Sequence, residues 1–459
     1  MNRFLPVLCN RQKTNTVTTS KLKIIEDLKE FLYKVKDNPE LRVLFTSDTP
    51  SLTRDRKLPF DRLVLLLINM LKRSSSIEIH DFFEVIGCES AACTKSAFCQ
   101  QRMKLKDLFF DCWNTVLSHS YYKHFSESTA RWRGFRVFAV DGSTAYLVNK
   151  PNVSAHFGVQ SNKVSAPAMG RVMAAYDVLN GITVLNGLFP VNMGEQRIAN
   201  NWVSYYEPDM LMLYDRGFAS FAGIYLHLHK EQEQKFIMRC TNNFNKEVSR
   251  FTDSCKNDIV VEFTATEKGI TELYKQGFII NKNTTIKVRL IKVKLKNGET
   301  ETLITNLFDA KEFPLRIFKP LYFKRWGIET NYDVYKNKLQ LESFSGHTVH
   351  TIMQDFHALC FVNNLQEILT KDNEGHIKKQ NRPRKFEYQV NRNVAIGLMK
   401  NKIVKLFIST EPEMILAQLE LLFFRHLEPI RPGREYQRTN SRRRVNGKYQ
   451  TMTNYRRAI

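Results

Sequence analysis

The chain has 459 residues, enough for two or three hydrophobic cores rather than one. With 69 Lys and Arg against 46 Asp and Glu, its formal charge is +23. That surplus points to a polyanionic partner, nucleic acid foremost. The most apolar run, Leu63–Leu71, falls far short of the ~20 residues that span a bilayer, so no membrane partner is expected.

The opening residues Met1, Asn2, Arg3 and Phe4 lack a signal-peptide core, and a cytoplasmic location is expected. The eight Cys are scattered without a CxxC pair. Cys88, Cys93 and Cys99 lie close together but have no His at finger spacing, so reduced thiols are expected rather than a zinc site.

Residues 21–120 read as helical. Leu22, Ile25, Leu28, Leu32 and Val35 recur at helical spacing. Leu63–Leu71 follows Pro59, which suits a helix start. Ile79–Ile86 comes next and stops at Gly87. Ser96–Lys104 then reads as a basic helix after a turn. Helix, turn and basic helix together suit a DNA-reading unit, and equally a plain helical bundle with a solvated basic face.

The pattern changes at Gly134. Arg136–Val140 is a short apolar strand ending in Asp141-Gly142. Arg171–Leu179 and Ile182–Leu188 are strand-like and joined by Asn180-Gly181, a strong hairpin signal. Glu195–Tyr206 reads as a helix, Met210–Tyr214 as a buried strand ending in Asp215-Arg216-Gly217, Phe221–His229 as a helix and Lys235–Cys240 as a strand. Strand, strand, strand, helix, strand, helix, strand fits an α/β, ribonuclease H-like core. Residues 241–305 break the rhythm, with Thr, Val, Ile and Lys enriched and a second Asn-Gly at Asn297-Gly298. Ile286–Leu295 nearly alternates, placing Lys287, Arg289, Lys292 and Lys294 on one basic face of a β-rich insertion. Helices resume over Leu315–Leu341, Val349–Thr370 and Glu411–His426, with a polar linker at Asp372–Arg384. The tail from Arg431 to Ile459 is strongly basic, with Glu435 its single acid, and suits phosphate.

Two predicted strands thus end in aspartate. A carboxylate just past a buried strand is fixed by the core yet faces solvent, as metal-dependent phosphoryl transfer requires. Hard oxygen ligands suit Mg²⁺, and two ions about 4 Å apart can stabilise attacking and leaving oxygens together. Taken singly, a strand-end Asp is more often a turn or cap residue. Asp177 is a rival acid, ranked below Asp141 because it lies in a hairpin arm. Tyr322, Arg325, Glu329 and Lys336 stand at offsets 3, 7 and 14 from the first, which share one face of an α-helix. The bland reading is a solvated face with an Arg-Glu i,i+4 pair. Trp326, Ile328 and Leu339 argue instead for a packed helix.

Tyr-x2-Arg-x3-Glu-x6-Lys resembles the signature of bacterial DDE transposases of the insertion-sequence-four family. Val140-Asp141-Gly142-Ser143 and Asp215-Arg216-Gly217-Phe218 agree with it, as do Thr305-Asn306-Leu307, Phe344-Ser345-Gly346 and Gln354-Asp355-Phe356. Ser96-Ala97-Phe98 with Arg102 and Lys104 is similar to the family's N-terminal helical region, so the likeness runs from about residue 20 to 370.

The resemblance implies a ribonuclease H-like catalytic core at 131–370, interrupted by a β-rich insertion at about 241–305. An N-terminal helical DNA-binding domain at 1–130 precedes it, and a helical C-terminal region with a basic tail at 371–459 follows. It implies that Asp141 bridges two divalent metal ions, Mg²⁺ or alternatively Mn²⁺, and that Asp215 and Glu329 each complete one site. Tyr322, Arg325 and Lys336 would hold DNA phosphates, Arg as a bidentate fork and Lys as a point charge. Trp326 either stacks near the terminal bases or packs in the core. The protein would bind terminal inverted repeats of double-stranded DNA as a homodimer, in a bacterial, nucleoid-associated setting. It would cut to expose a 3′-hydroxyl, and that hydroxyl would attack target DNA.

Some relatives trap a flipped base with an insertion-domain Trp. Here the Trp residues are Trp113, Trp132, Trp202 and Trp326, none of them between 241 and 305, which leaves Tyr274 or Phe278 for such stacking. Two other readings stand beside the transposase: an inactive or domesticated DNA-binding derivative, and another ribonuclease H-like nuclease such as a junction resolvase.

Overall fold

The computed structural model describes residues 11–54, 56–69, 72–161, 166–295, 298–371 and 386–431. The predicted linker at 372–384 and the basic tail beyond Arg431 lie outside them, as does Asn297 of the second Asn-Gly pair. The described residues form two compact units. One draws on 1–127, 147–153 and 334–459, and the other on 128–146 and 154–333.

In chain order the helices are α1 (Arg11–Asp37), α2 (Pro39–Phe45), α3 (Phe60–Ile68), α4 (Ser75–Val85), α5 (Lys95–Arg102), α6 (Leu108–His124) and α7 (Pro151–Phe157). They continue as α8 (Glu195–Trp202), α9 (Phe221–Leu228), α10 (Lys246–Asp253), α11 (Glu267–Tyr274), α12 (Phe318–Phe323), α13 (Gly327–Asp333) and α14 (Val349–Thr370). Last come α15 (Arg392–Met399), α16 (Lys402–Ile408) and α17 (Pro412–Arg425). The strands are β1 (Arg136–Tyr146), β2 (Met169–Asp177), β3 (Ile182–Pro190), β4 (Met210–Tyr214), β5 (Lys235–Cys240), β6 (Asp258–Thr264), β7 (Thr285–Lys294), β8 (Thr300–Thr305), β9 (Tyr388–Val390) and β10 (Leu427–Pro429).

The first unit is helical. Ile24, Ile25, Leu28, Leu32 and Val35 of α1 are buried along one face, while Leu22 is only half-buried. Trp113 of α6 joins α1 to α14: its indole N–H donates to the Leu28 carbonyl at 3.1 Å, and its ring stacks on Phe361 at 4.1 Å. α14 starts at a capping box between Thr348 and Thr351 and is buried almost all round, as expected of a helix at the centre of a bundle. α3 begins after Pro59 as the sequence predicts. α4 ends before Gly87, whose φ of +68° suits the achiral residue.

The basic helix of the predicted DNA-reading unit is α5, capped by Thr94, but its terminal Arg102 is buried. That guanidinium donates to Gln354 Oε1 at 2.9 Å, Ser345 Oγ at 2.6 Å, the Thr351 carbonyl at 3.2 Å and Asp355 Oδ1 at 3.1 Å. Arg102 is therefore a core clamp rather than a cation offered to DNA. With four of its five N–H donors engaged and the side chain buried, this guanidinium is not offered to a phosphate.

The second unit is built on an eight-stranded mixed sheet in the order β3-β2-β1-β4-β5-β8-β7-β6, flanked by helices. β1, β4 and β5 run parallel and the other neighbours antiparallel. The expected strands and helices through β5 are observed, with α7 as an unexpected helix between β1 and β2, and Gly181 turns the β2–β3 hairpin at φ +76°. Apolar residues of β4, β5, β7 and β8 meet Phe318, Leu321 and Tyr322 in one core cluster.

Two expectations are corrected here, the end of β1 and the basic face of β7. β1 does not stop at Asp141 but continues to Tyr146, because β2 goes on pairing with it after β4 has ended. Residues 241–305 add β6, β7 and β8 to the same sheet through the β5–β8 pairing. The basic face of β7 is incomplete: Arg289 is buried against Asp258, and Lys292 donates to the carbonyls of Thr252 and Ser254.

Candidate active site

The register of the parallel strands places the acids. Val140 of β1 pairs with Tyr214 of β4, and Tyr214 pairs with Met238 of β5. Asp141, Asp215 and Arg239 are the next residues on those three chains. They stand abreast at the level where β4 ends, with Asp141 inside β1 and Arg239 one residue short of the end of β5; the carboxyl side of parallel strands is where open α/β sheets collect ligands. The Tyr214 hydroxyl fixes the end of β4, lying 3.2 Å from the Tyr206 hydroxyl and 3.0 Å from His227 Nε2. His227 Nδ1 donates to the Gly223 carbonyl at 2.7 Å. Burial holds His227 neutral, its pKa lowered to about 4.

The signature segment does not form the single helix predicted over 315–341. α12 passes through a 3₁₀ turn (Lys324–Trp326) into α13, then into a π-helical stretch (Val334–Lys338). Each change of winding rotates the following side chains, so the offsets from Tyr322 no longer describe one face. Arg325 and Glu329 still face each other, with Arg325 Nη2 3.8 Å from Glu329 Oε1. The same guanidinium reaches Asp141, with Nη1 3.8 Å from Oδ2. Arg325 thus lies between the first and third predicted acids, itself only 3% exposed.

Tyr322 is buried, which raises its phenol pKa, and its hydroxyl donates to the Tyr214 carbonyl at 3.2 Å. Trp326 is 46% exposed with the Arg325 guanidinium 5.1 Å from its ring centre, so it is not a core residue. Lys336 falls on the π-helical stretch, half-buried, in the helical unit. Asp177, the rival acid, is fully buried and caps its own hairpin, accepting from the Leu179 and Asn180 amides at 3.0 Å each.

Sequence reasoning missed several neighbours. Arg239 lies 3.9 Å from Asp215 Oδ1 and pairs with Glu301 of β8 at 2.5 Å. Tyr332 donates to the Asp141 carbonyl at 2.6 Å. Glu195, at the start of α8, pairs with Arg171 of β2. Its sequence signal, an acid in a helix's first turn, is indistinguishable from an ordinary response to the helix dipole.

Asp141 carries the electrostatics of the site. Burial pushes its pKa up to about 6; the Gly142 N–H at 2.9 Å and Arg325 oppose the rise, and Glu195 and Asp215 add to it. Asp215 Oδ1 is buried without a hydrogen-bond partner. A carboxylate oxygen with no hydrogen bond and only a 3.9 Å approach from Arg239, next to the half-buried Asp141, suits a hard divalent cation. The three predicted acids do not close into a tight cage. Among the described residues, the group with ligating atoms within 4.8 Å of one another is His80, Asp81 and Glu84 on α4, where Asp81 is already paired with Arg73. None of the described cysteines is in a disulfide or in that group.

Among the described residues, no helix is long and apolar enough to cross a membrane. The search of curated proteins returned no match. Among solved structures, the chain is loosely similar to the piggyBac transposase synaptic complex with hairpin DNA, a cryo-EM structure. The TM-score is 0.38 at 9% identity, over 92% of this chain and 87% of that one, too loose to bear on function. The family model for the transposase DDE domain matches residues 132–365, more than half of the chain, from just before β1 into α14 and including both aspartates and the signature. The chain belongs to the transposase DDE domain family.

Proposed function

We propose that this protein cuts and rejoins DNA at the terminal inverted repeats of a mobile element, using Asp141, Asp215 and Glu329 with two divalent ions, Mg²⁺ or Mn²⁺. One observation carries the reading: two aspartates abreast just past the last parallel pair of β1 and β4, with Arg325 bridging from the first toward Glu329. The order β3-β2-β1-β4-β5 supports a ribonuclease H-like core. Membership of the transposase DDE domain family supports phosphoryl transfer as the chemistry, and the +23 charge suits a DNA partner. The insertion-sequence-four resemblance and the homodimer belong to the same proposal.

In this reading Asp141 and Asp215 would hold the ions, with Glu329 completing the set. When bound, the ions would supply charge stabilisation for the attacking and leaving oxygens of an in-line displacement. The protein's own part is placement. Tyr322 and Tyr332 hold the backbone at Tyr214 and Asp141. Arg325, lying 3.8 Å from Asp141 and from Glu329, would be the cation nearest a scissile phosphate held at these acids. Its planar fork suits phosphate oxygens better than two carboxylates at 3.8 Å. Half-exposed Trp326 offers a face for base stacking, and a phosphate contact for Lys336 remains part of the proposal by the signature resemblance alone.

The test uses a plasmid carrying this gene with several hundred flanking base pairs, incubated with purified protein and Mg²⁺. Release of a discrete linear fragment by wild type, and not by Asp141→Ala or Glu329→Ala, is expected. A retained gel shift without cleavage would favour the non-catalytic DNA binder. Cutting of branched DNA without preference for repeat ends would favour a resolvase.

A further inference from the structure

A fourth carboxylate lies against β1 at Gly142. Glu195 folds back over the Cα of Gly142, so that a β-carbon at Gly142 would fall 2.5 Å from Glu195 Cδ and Oε1. Arg171 holds it there: Nη1 pairs with Glu195 Oε1 while Nη2 donates to the Val191 carbonyl at 3.0 Å. Glu195 Oε2 accepts no hydrogen bond from the described residues. The pair spans β2 and α8, and its acidic end lies beside the residue that follows Asp141.

We propose that Glu195 is a positioning residue of the active site, held over Gly142 by Arg171 so that its negative charge strengthens divalent-cation binding at Asp141. This rests on the metal-dependent reading above. A purely structural Glu195 would only staple α8 to β2. The two roles differ in sign. Neutralising a staple lowers stability and leaves cation affinity alone. Neutralising a like charge beside Asp141 relieves repulsion and weakens the cation. Gly142 serves the same arrangement, since a methyl group there would push the carboxylate aside while preserving its charge. Outer neighbours of metal ligands act on affinity in this way without touching the ion.

The experiment measures Mn²⁺ binding to the full chain without DNA, from loss of the free-ion electron paramagnetic resonance signal, together with melting temperature in EDTA. All proteins carry His80→Ala and Glu84→Ala to remove the surface group. Glu195→Gln is expected to bind Mn²⁺ roughly tenfold to a hundredfold more weakly, and to melt no lower than its parent in EDTA. Gly142→Ala is expected to weaken Mn²⁺ as well, and gives a second reading if Glu195→Gln folds poorly. Unchanged Mn²⁺ affinity in both variants overturns the inference, as does a lower melting point of Glu195→Gln with affinity intact. Asp141→Asn separates the two levels. If it loses Mn²⁺ and the Glu195 and Gly142 variants do not, only the role of Glu195 fails. If the parent shows no saturable binding, or Asp141→Asn binds as well, the metal-dependent reading fails and this inference with it.

Discussion

Replacing Tyr322 with Phe removes one oxygen and asks what the signature tyrosine does. Its ring is buried in the second unit's core with Leu321 and Phe318, and only 4% of the residue is exposed. Its hydroxyl donates to the carbonyl of Tyr214, the residue before Asp215. Deleting that donor forfeits one buried hydrogen bond, a net loss of about 1 kcal/mol. Phe keeps the ring, so no large cavity term is added. For a unit of this size the loss corresponds to roughly 2–4 °C in melting temperature. The assay is thermal unfolding of Tyr322→Phe without DNA, paired with DNA affinity and single-turnover cleavage. The expected pattern is a lower melting point and slower cleavage, as the end of β4 loosens, with repeat-DNA affinity close to wild type. Unchanged stability with a clear fall in DNA affinity would refute this reasoning and make Tyr322 a phosphate contact.

Three further outcomes follow from particular contacts. Arg102→Met leaves Asp355 and Gln354 facing an apolar side chain and should cost about 3–5 kcal/mol, read as a shifted urea midpoint; a loss under about 1 kcal/mol would show the clamp to be dispensable. His227, held neutral by burial with its pKa lowered to about 4, contributes stability that is intact above about pH 6.5. As pH falls from there toward 4, the unfolded chain takes a proton that the folded chain refuses, and about 3 kcal/mol should be lost. Urea titrations across that window should show a shallower decline for His227→Gln, and parallel slopes would contradict the assignment. Trp326→Ala should change stability by less than about 1 kcal/mol because the ring is half-exposed. It should weaken repeat-DNA binding by about 1–3 kcal/mol if the ring stacks on a base; unchanged affinity by gel shift would remove it from the DNA surface.

Local patterns were enough for the strands that end beside the acids. The buried run Met210–Tyr214 has one stable place, inside a sheet, so Asp215 must emerge at its end. Asn180-Gly181 dictates a turn by backbone conformation alone, and Val349–Thr370 is bounded by its own cap. The acids and the signature arginine were legible for this reason: short-range chemistry sets where each element stops. What stayed hidden depends on partners far away in the chain. Arg102 reads as a surface cation until Gln354 and Asp355 close around it, and Arg289 until Asp258 pairs with it. β1 runs past Asp141 only because β2 continues beside it, and β8 joins β5 only through a pairing that no local period announces. The broken helix from α12 through α13 answers to packing on the sheet rather than to helical propensity. Glu195 stands over Gly142 because the sheet brings Arg171 and Asp141 to one edge, a juxtaposition that belongs to the tertiary fold alone. The sequence by itself determined the strand and turn signals that put Asp141 and Asp215 on neighbouring strands and the spacing that sets Arg325 toward Glu329. Only long-range pairing, whose energy no single segment holds, decided which charges face that site and which are spent inside the core.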